Sequence, residues 1–192
     1  MPSSGQTIHN PITGESITFV RTSRETEGKL VELAFSVTPG GAPPAPHLHP
    51  RQSETFAIHE GRCRVTVNGR EHELTAGQGM TVPPGVSHTW TAVSELRMTV
   101  TLEPAQRADE FFEDLFALAN AGYVNAKGLP TPLHFAVLLD EYRDLVYLAA
   151  APVALQKATM GILAKIGRTI GKGAKGLPHR AAAPGMASPT PR

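Results

Sequence analysis

The hydrophobic positions of this chain follow two rhythms. Up to about residue 102 they alternate. Val31, Leu33, Phe35 and Val37 share one face of a run whose other face carries Glu32, Ala34 and Ser36, the period of two expected of a half-buried strand. Cys63, Val65 and Val67 alternate with Arg62, Arg64 and Thr66, and Asn68-Gly69 then offers a two-residue hairpin turn before residues 70–74 return. Residues 55–59, 80–82, 88–90 and 96–102 continue the series. About eight short strands between about residues 15 and 102, with turn residues every 8–12 positions or so, predict a mainly β sandwich or barrel.

After Glu103-Pro104 the period lengthens. Phe111, Phe112, Leu115, Phe116, Leu118 and Ala119 recur at helical spacing, with Gly122 as a stop. Their apolar stripe must bury against something: the barrel wall or mouth is the nearest surface, and a symmetric partner is the alternative. Thr131-Pro132 opens a second helix expected to run to about residue 150, and a third is expected over 152–170. At about 100° per residue, Lys157, Lys165, Arg168 and Lys172 of this third helix gather within about 80° of each other. Leu155, Thr159, Ile162, Leu163, Ile166 and Ile170 lie opposite. Such a basic amphipathic helix either packs its apolar side on the first two helices or makes weak contact with an anionic membrane surface through residues 152–172. From Gly171 the chain turns Gly-, Ala- and Pro-rich and is expected to be disordered. The organisation read from these rhythms is a β-barrel domain over 1–104, a helical extension over 105–170 and a basic tail over 171–192.

Charge sharpens this picture. Residues 1–144 hold all 17 acids against 11 Lys/Arg, whereas residues 145–192 hold seven Lys/Arg and no acid. The basic part is a short end of the chain and not the barrel, so no nucleic-acid partner is expected. The start of the chain does not resemble a secretory signal, and no apolar run reaches spanning length, which makes cytoplasm the expected compartment. The single cysteine, Cys63, excludes an internal disulfide framework and a thiolate zinc cluster. Exposed strand edges and surplus apolar helix surface predict a homodimer.

The candidate chemistry lies in four residues. His47 and His49 are two apart, so a strand would present both imidazoles on one face. Glu54 follows at an odd offset, which requires residues 50–53 to bend the chain. His88 comes 34 residues after Glu54, after Pro83-Pro84-Gly85, far enough for another strand to return beside the first. Three imidazoles and one carboxylate suit one divalent transition metal ion (Fe, Mn, Ni, Co, Cu or Zn) and not Ca or Mg. Four protein ligands would leave two octahedral positions open to substrate or dioxygen. By parity, Phe56 sides with Glu54 and Trp90 with His88; with Phe35, Met80 and Met98 they are candidates for an apolar substrate pocket. Arg51 either binds a substrate carboxylate or faces solvent. His9, His59 and His72 are expected at the surface, His134 in helix packing, and Cys63 in the core.

These residues carry a resemblance. Gly41-x5-His47-x-His49-x4-Glu54-x6-Gly61 resembles the first motif of the cupin superfamily, and Gly77-x5-Pro83-x-Gly85-x2-His88 resembles the second. The Asn that usually closes the second motif is replaced by Ala92. The resemblance implies a double-stranded β-helix, or jelly-roll barrel, here with a C-terminal helical extension, and one metal held by His47, His49, Glu54 and His88. The general likeness is to bacterial single-domain cupins of the quercetin-dioxygenase-like kind. The superfamily does not imply one reaction; with an apolar pocket beside the four residues, the favoured reading is a dioxygenase-type oxidoreductase acting on a small apolar or aromatic molecule, with Glu54 as ligand and catalytic base. The alternatives within the resemblance are a non-catalytic module that binds or senses a small molecule and a metal-dependent isomerase or decarboxylase.

Overall fold

Alternation in the sequence becomes two antiparallel sheets. The computed structural model describes residues 1–40 and 43–174. Among these, ten strands come first: β1 (Thr7–His9), β2 (Ser16–Arg21), β3 (Val31–Val37), β4 (His47–Leu48), β5 (Ser53–Glu60), β6 (Arg62–Val67), β7 (Arg70–Thr75), β8 (Gly79–Val82), β9 (His88–Ala92) and β10 (Leu96–Glu103). Then follow α1 (Ala108–Asn120), α2 (Pro132–Glu141), a short β11 (Tyr147–Leu148) and α3 (Val153–Thr169). The strand order is β1-β2-β3-β10-β5-β8 in one sheet and β11-β4-β9-β6-β7 in the other. Every pairing is antiparallel. The architecture is a jelly-roll barrel of the double-stranded β-helix kind with helices appended at its C-terminal side.

The core lies between the sheets and follows the predicted parity. Val31, Leu33, Phe35 and Val37 are all buried. Across β3, β10 and β5 the inward residues stand in rows: Val31 beside Leu102 beside Glu54, then Leu33 beside Val100 beside Phe56, then Phe35 beside Met98. Cys63 is fully buried, and burial pushes its thiol up to about 11, so it is an inert core side chain. The predicted hairpin turn is present. Asn68 and Gly69 have φ of 47° and 78°, the two positive values of a type I′ turn. Gly61 has φ of 81°, and a Cβ there would meet the Glu95 carbonyl oxygen at 1.8 Å, so no other residue fits this point of the first motif.

The helical region differs from expectation in one respect. α2 stops at Glu141 and does not continue to residue 150. Asp144 takes φ of 67°, and the chain then lays Tyr147 and Leu148 against Leu48 and His47 as β11. Pairing with the free side of β4 outweighs local helical preference there. Residues 175–192, most of the expected disordered tail, lie outside the described residues, as does Gly41 of the first motif. No helix among the described residues is long and apolar enough to cross a membrane.

Candidate metal centre

The two sheets bring the four residues together from different directions. His47 is on β4 and His88 directly opposite it on β9. His49 lies just beyond β4, after which the chain bends through residues 50–52 into the other sheet, where Glu54 sits on β5. This crossing of sheets accounts for the odd offset between His49 and Glu54, since alternation holds only within one strand. One nitrogen from each imidazole and one Glu54 oxygen all lie within 4.8 Å of one another. Glu54 Oε2 is 3.9 Å from His47 Nε2, 3.3 Å from His49 Nε2 and 2.5 Å from His88 Nε2. His49, Glu54 and His88 are buried, and the His47 side chain is 13% exposed.

The tautomers follow from the outer partners. His47 Nδ1–H donates to the Ala45 carbonyl at 2.8 Å, His49 Nδ1–H to that of Leu145 at 2.7 Å, and His88 Nδ1–H to that of Val86 at 2.9 Å. A carbonyl has no proton to give, so each Nδ1 carries the hydrogen and each Nε2 presents its lone pair when the ring is neutral. Three lone pairs and a carboxylate then face one point, an arrangement that calls for a positive centre among them. Burial pushes His47 down to about 4, against the pull of Glu54, so its ring is neutral at physiological pH. Burial alone would raise the Glu54 carboxyl, but hydrogen bonds from His49 and His88 hold it well below the usual carboxylate range. Burial alone would lower His88, and the short hydrogen bond to Glu54 raises it instead. An ionised carboxylate, a neutral His47 and carbonyls that fix the three ring orientations fit a divalent transition metal, whose binding would release the proton held between His88 and Glu54.

Beside this cluster lies a cavity of about 160 Å³, lined by His47, His49 and Glu54 at one side and by Phe35, Trp90, Phe111, Phe112, Leu115 and Phe116 among its apolar wall. Phe35 makes edge-on contacts with Trp90 and Phe112, each at 5.9 Å between ring centres. α2 adds Phe135 and Leu139, and the connector and β11 add Val146, Tyr147 and Leu148. The apolar stripe of α1 therefore faces the barrel mouth.

Of the five pocket candidates read from the sequence, Phe35 and Trp90 line this cavity, while Phe56, Met80 and Met98 are not among its lining residues. Phe56 is 0% exposed and Met98 1%; the Phe56 ring lies 6.3 Å from that of His88. Parity places a side chain inside a barrel without saying whether it lines the open end or the packed interior. Arg51 is exposed and pairs with Asp144 at 3.5 Å. His59 and His72 are exposed, and His9 is half-buried. His134 is buried in packing, accepting from or donating to Thr131 and stacked on Tyr123. The Leu145 carbonyl and the α2 residues of the wall have no motif in the sequence. Their roles arise from the turn after α2, which only the folded chain shows.

Residues 34–102 match the cupin domain family. Solved structures show partial likeness. KdgF from Halomonas sp. is 18% identical, with 50% of this chain and 85% of that chain covered and a TM-score of 0.45. An RmlC-like cupin from Shewanella frigidimarina is 24% identical, with 54% and 88% covered and a TM-score of 0.48. Pac13 of Streptomyces, described as a nucleoside dehydratase, is 18% identical, with 55% and 82% covered and a TM-score of 0.45. No curated protein matches the chain.

Proposed function

We propose that the chain is a metal-dependent oxidoreductase of the dioxygenase type, acting on a small apolar or aromatic molecule. The observation that carries this reading is the meeting of three Nε2 lone pairs and a carboxylate at the edge of a cavity walled by aromatic rings. A divalent transition metal held by His47, His49, Glu54 and His88 would supply Lewis-acid polarisation of a substrate oxygen and redox chemistry with dioxygen.

The chain's own residues do the rest. Phe35, Trp90 and Phe112 receive a flat apolar ligand edge-on. The cavity is on the scale of one aromatic ring, since a cavity of about 150 Å³ holds benzene. α1 and α2 wall the mouth with apolar side chains, which limits water around the site. Glu54, the one carboxylate among the four residues, is the group we assign as base.

Oxygen uptake by the metal-loaded protein with a panel of phenols, catechols and enols tests this function. Uptake with at least one compound, abolished in His49→Ala, is the expected result. Turnover without oxygen uptake would make the protein an isomerase or decarboxylase. Tight binding of an aromatic compound without any turnover would make it a sensing module.

A further inference from the structure

α3 docks with its aliphatic side outward, the second of the two arrangements open to it. The face turned toward α2 is built of small residues and charges. Ala164 is fully buried, and a Cβ on Gly167 would meet Val137 Cγ2 at 2.7 Å. Lys157 Nζ is 2.6 Å from Asp144, and Arg168 Nη1 is 2.7 Å from Asp140. Gln156 ties the start of the helix to the backbone of Leu148 and Ala151. The aliphatic side chains point away: Leu155, Ile162, Ile166 and Ile170 are 54%, 64%, 49% and 56% exposed. They are half of the large hydrophobic residues exposed among the described residues. At helical spacing they fall within an arc of about 80°, along a helix of about 25 Å. An aliphatic stripe of this length in water marks an interaction surface.

Charge selects the occupant. The segment 145–192 carries seven Lys/Arg and no acid. Lys165 is exposed, about 60° round the helix from Ile162, and makes no ion pair among the described residues. The nearby acids that would repel an anionic surface are engaged, Asp140 by Arg143 and Arg168 and Asp144 by Lys157 and Arg51. A second copy laid along α3 would find no acid on that helix to meet Lys165, because residues 145–192 contain none. We propose that the outward stripe of α3 docks on an anionic lipid bilayer, with Leu155, Ile162, Ile166 and Ile170 entering the headgroup boundary and Lys165 meeting the lipid charge. The chain is then a peripheral protein whose barrel is held at a membrane by α3.

Flotation of the full chain with vesicles tests this, using equal parts phosphatidylglycerol and phosphatidylcholine against phosphatidylcholine alone. The wild type is expected to float with the anionic vesicles, less so as salt is raised because exposed charges are screened. Ile162→Ser with Ile166→Ser should lower the bound fraction at least about tenfold, since each CH₂ withdrawn from lipid is worth roughly a factor of four. Lys165→Glu should weaken binding while leaving the aliphatic stripe intact. All three positions are exposed, so the folded chain tolerates the changes, which far-UV circular dichroism verifies. No flotation of the wild type, equal flotation of the double variant, or equal binding to uncharged vesicles would overturn the proposal. So would a dimer in the absence of lipid that the double variant returns to monomer, which would make the stripe a self-interface.

Discussion

His88→Ala should bind a divalent transition metal at least about 100-fold more weakly than the wild type, because loss of even an outer partner of a ligand costs roughly 10–100-fold. In the proposed site His88 would supply one of four donors, and its Nε2 lies 2.5 Å from Glu54 Oε2. Removing it would delete that donor and leave the Glu54 carboxylate buried with one partner fewer. Competitive titration with a chelator and elemental analysis of the purified variant measure the loss. His134→Ala is the control, since His134 is equally buried but packs between Thr131 and Tyr123; its metal affinity should equal that of the wild type. Equal affinity in His88→Ala and the wild type would remove His88 from the site.

Phe56→Ala should destabilise the fold by about 3–5 kcal/mol, the usual cost of emptying a buried aromatic position. The ring is 0% exposed, opposite Val100 on β10 and Met80 on β8. Urea unfolding monitored at Trp90 measures the change. The same substitution at Phe112, which is only half-buried and forms part of the cavity wall, should cost less stability and more affinity for an aromatic ligand. This pair separates core from pocket, a distinction that alternation in β5 does not make. A small loss for Phe56→Ala, or a larger one for Phe112→Ala, would contradict the assignment.

The barrel was legible in the sequence because its signals are local. β3 occupies the predicted run, the Asn68-Gly69 turn has the backbone its residues demand, and the four ligand candidates stand at spacings that fall within two motifs. What was not legible depends on contacts between distant segments. Leu145, Val146, Tyr147 and Leu148 continue an apolar pattern that suits a helix. They leave it because Tyr147 and Leu148 can pair with β4 and the Leu145 carbonyl receives the proton of His49 Nδ1. The offset of Glu54 is explained only by the crossing from one sheet to the other. In α3 the helical wheel sorted aliphatic from basic side chains correctly, but not which side would dock. That choice was made by Gly167 and Ala164, which allow close approach, and by Asp140 and Asp144, which capture Arg168 and Lys157.

Nε2 of three histidines and the Glu54 carboxylate are expected to hold one metal ion. Anomalous X-ray diffraction from crystals of the metal-loaded protein should show a single strong peak between β4, β5 and β9, about 2.0–2.2 Å from Nε2 of His47, His49 and His88 and from a Glu54 oxygen. No peak at that position, or a peak bound through Nδ1 of any of these rings, would contradict it.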